Sequence, residues 1–183
     1  MAPSLPLTEE PVRQAEVLRA PASWPARGLG LRPSAPSDTA FLRDLFASFR
    51  AEELALAPWS DPQKRAFCDS QFDLQDRHFH AHFPDADFLI VERHGRPIGR
   101  LYLDRGEAGF LVVDIGFLPE ARGAGLGRDL LRCVHVQARR AGAPKVWLHV
   151  LIHNPRAMTL YERLGFRRAA LDGAHWRMEW LIA

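Results

Sequence analysis

Arg122-Gly123-Ala124-Gly125-Leu126-Gly127 is a glycine-rich turn between an apolar run, residues 110–118, and a helical pattern. The helix is indicated by apolar residues that recur every four positions, namely Leu126, Leu130, Val134 and Ala138. Glycine lets backbone N–H groups approach a ligand closely, and the N–H groups in the first turn of a helix have no partner within that helix. A strand, a glycine-rich turn and a helix start in succession therefore predict an anion site suited to a phosphate.

The residues of this turn exclude two common phosphate sites. A dinucleotide-binding turn requires a third glycine three residues after Gly125, where this chain has Arg128. A nucleoside-triphosphate loop ends in Gly-Lys-Ser or Gly-Lys-Thr, and this turn does not. The remaining pattern, Arg-x-x-Gly-x-Gly after a strand that ends in Pro119-Glu120, resembles the pyrophosphate loop of the GNAT N-acetyltransferases, which bind acetyl-CoA. A strand-to-helix turn without a ligand is the alternative that the turn alone leaves open.

The composition is that of one globular domain with no nucleic-acid or membrane partner. The 183 residues are enough to bury a core without disulfides. The net charge of +2 is small and the 24 basic side chains are scattered, so nucleic acid is not an expected partner. No apolar run has the length of a membrane span, and the N-terminus lacks the order of a signal peptide. With only two cysteines, Cys68 and Cys133, the sequence predicts a cytoplasmic protein without a disulfide framework.

The N-terminal part of the chain predicts an extension, one strand and two helices. Residues 1–27 contain five prolines and no sustained periodicity, which predicts a mobile extension before a domain at residues 28–183. Residues 28–32 alternate like a short strand. Ser37-Asp38 is expected to cap a first helix, and Ser60 a second.

Two groups of polar residues accompany these helices. Glu52 and Glu53 precede Trp59 in the connection between the helices. A solvated helix end is the ordinary interpretation, although two carboxylates beside an aromatic ring also suit an amine ligand. The second helix carries three histidines, His78, His80 and His82, without a carboxylate or cysteine at ligand spacing. No metal site is therefore expected.

The rest of the chain alternates strands with helices. Apolar runs bounded by turn residues predict strands at residues 88–92, 97–103, 110–118 and 146–151, and in both arms of a hairpin around Asp172-Gly173. The helix after the glycine-rich turn is expected to end near Gly142, and Asn154-Pro155 is a strong start signal for a last helix. This order predicts an α/β fold with a mixed sheet of about seven strands flanked by about four helices.

A second motif lies in that last helix. Its residues fall in the arrangement Asn-x-x-Ala-x-x-Leu-Tyr-x-x-x-Gly-Phe, formed by Asn154, Ala157, Leu160, Tyr161, Gly165 and Phe166. This resembles the second signature segment of the GNAT acetyltransferases, at the expected distance after the first. The resemblance spans about residues 28–181. It implies the GNAT fold, in which a mostly antiparallel central sheet splays open in its middle for acetyl-CoA.

The resemblance also implies the cofactor contacts. Backbone amides of the turn would cradle the CoA pyrophosphate, and they belong to Arg122, Gly123, Ala124, Gly125, Leu126 and Gly127. The strand edge at Ile115 and Phe117 would pair with the pantetheine arm, and Asn154 would contact the cofactor from the other side. A backbone N–H near Phe117 would stabilise the oxyanion. Neither cysteine lies in a motif, which favours direct attack in a ternary complex over an acyl-enzyme.

Tyr161 would act as the general acid that protonates the leaving CoA thiolate. A phenol with an ordinary pKa of about 10 is protonated at neutral pH, and the thiolate that it serves has a pKa near 8.5. A packed helix aromatic is the alternative role for Tyr161. The base stays open between His149, where ribosomal-protein-type members of the family carry a glutamate, Asp114, where other members carry a carboxylate, and a water chain.

These residues together predict a cytoplasmic N-acetyltransferase that moves an acetyl group from acetyl-CoA to a primary amine. The acceptor is left open between a small-molecule amine and a protein amine, either an N-terminus or a lysine. A catalytically silent acyl-CoA sensor is the alternative from another class, and the intact Tyr161 argues against it. Acceptor-side candidates rest on position alone: Glu52, Glu53, Trp59, Tyr102 and His175. A homodimer through the C-terminal strands follows only from the resemblance.

Overall fold

The arrangement of helices and strands follows the order predicted from the sequence. The computed structural model describes residues 17–182. The helices are α1 (Thr39–Ala55), α2 (Asp61–His82), α3 (Leu126–Arg140) and α4 (Pro155–Arg163). The strands are β1 (Leu29–Pro33), β2 (Asp87–Arg93), β3 (Arg96–Gly106), β4 (Gly109–Phe117), β5 (Lys145–Leu151), β6 (Arg167–Asp172) and β7 (His175–Leu181). Within the described residues, no helix is both long and apolar enough to span a bilayer.

The predicted α/β fold with a mixed sheet is confirmed. The seven strands lie in the order β1-β2-β3-β4-β5-β7-β6. Neighbouring strands run antiparallel except β4 and β5, which are parallel. Two parallel neighbours require a crossover connection, and the chain supplies it with α3.

Alternation along β2 divides the core into two layers. Leu89 and Val91 are buried in the larger cluster, which contains the apolar stripe of α3. Ile90, between them, is buried in a smaller cluster with residues of α1 and α2. Because successive strand side chains point to opposite faces, α1 and α2 cover one face of the sheet and α3 covers the other.

The helix caps show one difference from the prediction. Asn154 caps α4 as expected, because its Oδ1 accepts the Ala157 N–H at 3.1 Å. Asp38 was expected to cap α1, but its carboxylate instead accepts the Ala35 N–H at 2.8 Å and both outer nitrogens of Arg32 at 2.7 and 2.8 Å. The bidentate pairing with β1 therefore takes the oxygens that a cap would use.

The residues before β1 include part of the core. Trp24 is fully buried and Leu18 is 5% exposed, and both belong to the larger cluster. The sequence predicts an extension at residues 1–27 and a domain that begins at residue 28. The packing of Leu18 and Trp24 places them in the domain, while residues 1–16 lie outside the described residues.

The centre of the sheet is its least continuous part. β4 and β5 pair only from Phe110↔Val146 to Val112↔Leu148. The register between β3 and β4 shifts by one residue at this point, so that Val113 is an extra residue on β4. Such a bulge bends its strand. The carboxyl-terminal half of β4 consequently separates from β5.

Candidate active site

The separated strands open a cleft of about 820 Å³. Its walls come from β4 and β5, the glycine-rich turn, the start of α3, and α4, with Phe49, Gln75 and Phe79 contributed by α1 and α2. Most of the residues predicted from the sequence meet here: Asp114, Ile115, Phe117, Arg122, Gly123, Gly125, Leu126, Gly127, His149, Asn154, Tyr161 and His175. These predicted residues, which are up to 61 positions apart in sequence, therefore line one cavity.

The glycine-rich turn has the geometry of an anion site. Gly123 and Gly125 adopt φ of +82° and +77°, in the left-handed region that glycine enters without strain. The first hydrogen bond of α3 runs from the Asp129 N–H to the Gly125 carbonyl at 3.0 Å. The N–H groups of residues 126–128 precede that bond, so they are the unpartnered donors of the first helical turn. A phosphate at this position also receives the positive end of the helix dipole.

Arginines surround this turn. Arg122 donates from Nε to the Phe117 carbonyl at 2.9 Å and lies over the Phe49 ring at 5.5 Å, which fixes the turn to the end of β4. The Arg128 guanidinium lies 2.9 Å from where a Cβ on Gly125 would be, and that of Arg156 lies 3.7 Å from the same point on Gly123. Both cations therefore flank the backbone that would bind phosphate.

Ala124 is the one member of the turn whose side chain does not line the cleft. Its carbonyl accepts a hydrogen bond from Arg27 Nη2 at 3.4 Å. Arg27 also pairs with Asp129 of α3 at 3.2 Å, and Trp24 Nε1 donates to the same carboxylate at 3.4 Å. The segment before β1 is thus attached to the turn and to the start of α3.

Tyr161 lies on α4 at the wall of the cleft and is 8% exposed. Burial, with a smaller contribution from the Asp114 charge, raises its pKa well above the ordinary value of 10. Its ring packs edge-on against Phe166, with 5.9 Å between the ring centroids. The phenol is consequently neutral at physiological pH and retains a proton that it could donate.

His149 projects from β5 into the same cleft. Partial burial of its ring lowers its pKa below 6.5, His175 and Arg177 act in the same direction, and the Asp172 carboxylate opposes them. The imidazole is therefore neutral at pH 7 and has a free lone pair. His175 lines the cleft nearby, at the start of β7.

Asp114 is bound by an arginine that the sequence did not single out. Its Oδ2 accepts a hydrogen bond from Arg100 Nε at 2.5 Å. Arg100 is 2% exposed, also donates to Gln75 Oε1 at 2.8 Å, and lies 5.0 Å over the Tyr102 ring. An arginine within the apolar central part of β3, residues 98–103, is the one sequence signal for this network, since a buried guanidinium requires a partner.

Four of the acceptor-side candidates lie away from the cleft walls. Tyr102 is 1% exposed between Phe79 and Phe88, and burial raises its pKa to about 12. Glu52 and Glu53 are exposed at the end of α1, where Glu53 accepts from Arg50 at 2.9 Å. Trp59 packs edge-on against Phe67 at 5.3 Å between centroids. Only His175 of that group lines the cavity.

The described residues contain neither a metal-ligand cluster nor a disulfide. Across residues 17–182, no three histidine, cysteine or acidic side chains converge as metal ligands would. The rings of His78 and His82 lie next to each other along α2, with 4.0 Å between their centroids and a tilt of 30°. Cys68 and Cys133 are both free thiols.

Comparison with known proteins assigns the chain to a family. Residues 41–166 match the sequence model of the acetyltransferase (GNAT) family. A mycothiol acetyltransferase from Thermomonospora curvata is 36% identical over 126 residues, which cover 62% of this chain and 41% of that protein. The chain spans less than half the length of the curated relatives it matches.

Solved structures share the fold at low sequence identity. The PaiA N-acetyltransferase from Thermoplasma acidophilum, in complex with coenzyme A, has a TM-score of 0.66 and 18% identity, covering 84% of this chain and 99% of its own. The spermidine N-acetyltransferase from Vibrio cholerae, in complex with CoA and spermine, has a TM-score of 0.57 and 24% identity, covering 84% and 95%. With the sequence pattern and the splayed sheet of the family in one chain, the protein is a member of the GNAT acetyltransferases.

Proposed function

We propose that the protein is an acetyl-CoA-dependent N-acetyltransferase that acetylates a small-molecule primary amine. The observation that carries this proposal is the cleft between β4 and β5, which holds the anion-binding turn, the open strand edge and Tyr161 along one channel. A cofactor with a pyrophosphate, an extended amide-bearing arm and a terminal thioester matches these three features in turn. Structures of PaiA and of the spermidine N-acetyltransferase contain coenzyme A, which supports the same ligand here.

The cofactor contacts that we propose follow the walls of the cleft. The N–H groups of the turn residues Arg122, Gly123, Ala124, Gly125, Leu126 and Gly127 bind the pyrophosphate. Arg128 and Arg156, beside the turn, offset its negative charge. Ile115 and Phe117 present the β4 edge to the amides of the pantetheine arm, and Asn154 lies on the opposite wall. Acetyl-CoA then supplies an activated acetyl thioester at the centre of the sheet.

The proposed reaction needs one base and one acid from the protein. His149 takes a proton from the acceptor ammonium, and the neutral nitrogen attacks the thioester carbonyl carbon. A β4 backbone N–H donates to the oxygen that becomes negative. When the C–S bond breaks, Tyr161 donates its proton to the sulfur, and the acetylated nitrogen gives its second proton to the resulting phenolate, so that the products are an acetamide and free CoA thiol.

The contacts favour His149 over Asp114 as the base. To accept a proton, the Asp114 oxygen bonded to Arg100 would have to give up that hydrogen bond. The buried Arg100 guanidinium would then lose its carboxylate partner, which is costly. The His149 ring is exposed to the cleft, and the lowering of its pKa keeps the accepting nitrogen free at neutral pH. We therefore assign Asp114 a structural role beside the reacting atoms.

The names of related proteins support a small-molecule acceptor, because they refer to small molecules. Mycothiol acetyltransferases are among the curated relatives, and a spermidine N-acetyltransferase shares the fold. A cytoplasmic location belongs to the same proposal, since two free thiols suit a reducing compartment. The homodimer and the mobility of the first residues stay predictions from the sequence.

Calorimetric titration followed by a thiol assay tests the proposal. The protein is titrated with acetyl-CoA and with CoA, and free thiol is then measured over a panel of small amines and one unstructured peptide with a free N-terminus and a lysine. Micromolar binding and thiol release with a small amine are the expected results. Release with the peptide alone would show a protein acceptor, and binding without release would favour the sensor.

A further inference from the structure

We infer that the acceptor is a monoamine whose other polar groups are hydroxyl or carboxylate oxygens, and that polyamines are poor substrates. This inference rests on the proposed function and names the acceptor class for the same cleft. It is carried by the charges of a group of cleft-lining residues outside the glycine-rich turn, which we call the acceptor end: Phe49, Gln75, Phe79, Asp114, His149 and His175.

The cleft walls are rich in cations and poor in free anions. Among the described residues that line the cavity, Asp114 is the single carboxylate. The basic side chains that line it are Arg122, Arg128, Arg156, His149 and His175. The three arginines lie beside the glycine-rich turn, where the CoA phosphates use their charge. Within residues 17–182, Asp114 is therefore the one lining carboxylate that could receive an ammonium.

Asp114 is already neutralised by a partner below the cleft surface. Arg100 Nε donates to its Oδ2 at 2.5 Å, and the guanidinium is 2% exposed. A second ammonium at the acceptor end would lose hydration and meet an ion pair with no net charge. The pairing with Arg100 thus removes the attraction that a polyamine would otherwise find.

Other carboxylates near the cleft do not supply that attraction either. Glu52 and Glu53 are exposed at the end of α1 and do not line the cavity, and Glu53 pairs with Arg50. Asp172 acts on His149 from the β6–β7 hairpin, but His175 and Arg177 oppose its effect. The surroundings of the acceptor amine accordingly lack an excess of negative charge.

The polar groups that remain at the acceptor end are suited to oxygen. Gln75 Oε1 accepts from Arg100 Nη2 at 2.8 Å, which commits the amide oxygen and leaves the two amide N–H groups to donate. His175 also lines the cavity, and an imidazole carries at least one N–H that can donate. Phe49 and Phe79 supply apolar contact for the carbon skeleton. Hydroxyl and carboxylate oxygens are the groups that accept from such donors.

Three amines of one chain length test the inference. They are 4-amino-1-butanol, 4-aminobutyrate and 1,4-diaminobutane, which share the reacting amine and differ at the far end in a hydroxyl, a carboxylate or an ammonium. Thiol release from acetyl-CoA gives kcat/KM for each. After correction for its two equivalent amines, the diamine is expected to be at least tenfold poorer than the better of the other two. Equal or higher kcat/KM for the diamine would overturn the inference.

A charge-introducing variant tests the cause of that preference. Gln75→Glu keeps the side-chain shape and the bond to Arg100 but adds a negative charge at the acceptor end. We expect the ratio of diamine to amino-alcohol kcat/KM to rise about tenfold in this variant. Gln71→Glu, one helical turn earlier on α2 and outside the cleft walls, adds the same charge and should leave the ratio unchanged.

The outcomes separate this inference from the proposed function. A ratio that does not change in Gln75→Glu, or that changes equally in Gln71→Glu, contradicts the role assigned to the acceptor end. Each of the three amines is also measured as a competitor of the best amine in the panel, so that weak turnover still yields an order of affinity. If none of the amines gives thiol release, the proposed function itself is contradicted.

Discussion

Tyr161 is held on the cleft wall at 8% exposure beside the Asp114 charge, and both features favour its protonated form. A proton donor should matter to the chemical step and little to cofactor binding. We expect Tyr161→Phe to lower kcat by roughly 10²–10⁴-fold and to leave the Kd for acetyl-CoA nearly unchanged. Thiol release measures the first quantity and calorimetry the second.

The chain contains a matched control for this experiment. Its only other tyrosine is Tyr102, which is also buried but does not line the cleft. Tyr102→Phe should therefore retain most of the activity. Equal kcat values for Tyr161→Phe and the unaltered protein would remove the general-acid role.

The base assignment predicts a pH dependence. The pKa of His149 is lowered below 6.5, so the neutral form that accepts a proton is lost only in acid. The rate should therefore rise with pH along an acidic limb whose midpoint lies below pH 6.5, and His149→Ala should flatten that limb. Profiles of kcat/KM from pH 5 to 8 measure this. His175→Ala, which removes a neighbouring cleft imidazole, should keep the limb. A limb that disappears only in Asp114→Asn would identify Asp114 as the base.

Single residues could be predicted from the sequence where a motif fixed their neighbours. Tyr161 and Asn154 lie in a pattern whose spacing places them on one helix, and the helix faces the cleft. Arg100 could not be found in this way, because its partner Asp114 lies on the neighbouring strand, diagonally across from it, and only the pairing of β3 with β4 brings the two together. Glu52, Glu53 and Trp59 are close along the chain, but they lie at the end of α1 and in the connection to α2, outside the cavity.

At the scale of secondary-structure elements, the glycine-rich turn can be tested against the other end of the same helix. Gly125 begins α3 with φ +77°, and Gly142 follows its end with φ +69°. Gly125→Asp places a carboxylate where phosphate would bind and should abolish measurable CoA binding. Gly142→Asp imposes the same residue and a similar backbone cost in open space, and should retain binding. Calorimetry with CoA compares the two, and retained affinity in Gly125→Asp would contradict the pyrophosphate site.

The contact between α3 and β7 predicts acid sensitivity. His135 is 7% exposed, stacks on Trp180 at 3.8 Å, and burial together with Arg139 lowers its pKa from 6.5 to about 4. The unfolded chain binds this proton more readily than the folded one. The stabilisation is therefore complete above pH 6.5 and is lost as pH falls toward 4, by up to about 3 kcal/mol.

Replacing this histidine should remove that part of the pH dependence. In His135→Phe, the difference in the free energy of unfolding between pH 7 and pH 4 should shrink by about 3 kcal/mol. Urea unfolding at the two pH values measures it. His153→Phe, at an exposed position after β5, should show the same difference as the unaltered protein.

Element positions were predictable because apolar periodicity and turn residues are local signals. The bulge at Val113 was not, since it is defined by the register with β3 and not by the residues of β4 alone. The burial of Trp24 was not predictable either. The prolines around it indicate an irregular segment, and its partner Asp129 on α3 is 105 residues away in sequence. The shape of the cleft depends on the bulge at Val113. The attachment of the glycine-rich turn depends on the segment that contains Trp24.

For the whole molecule, ligand binding and stability should be linked. The proposed cofactor lies between β4 and β5, the two central strands, which are paired at only three residue positions. A site between these strands exists only in the folded chain. Acetyl-CoA at 100 times its Kd should add about 2.7 kcal/mol to the free energy of unfolding. For a chain of this length, that corresponds to a rise in Tm of roughly 5–10 °C. A thermal melt with and without acetyl-CoA measures this, with Gly125→Asp as the variant expected to show no rise.

The separation of β4 from β5 also bears on colloidal behaviour. Past Val112 and Leu148, each strand turns an uncovered row of amide and carbonyl groups toward the other. Proteins usually shield such edges with proline, charge or an added helix, because an uncovered edge recruits strands from other chains. In this fold the pantetheine arm would serve as the shield. A cell or a storage buffer depleted of coenzyme would therefore leave an aggregation-prone surface uncovered in the interior of the sheet.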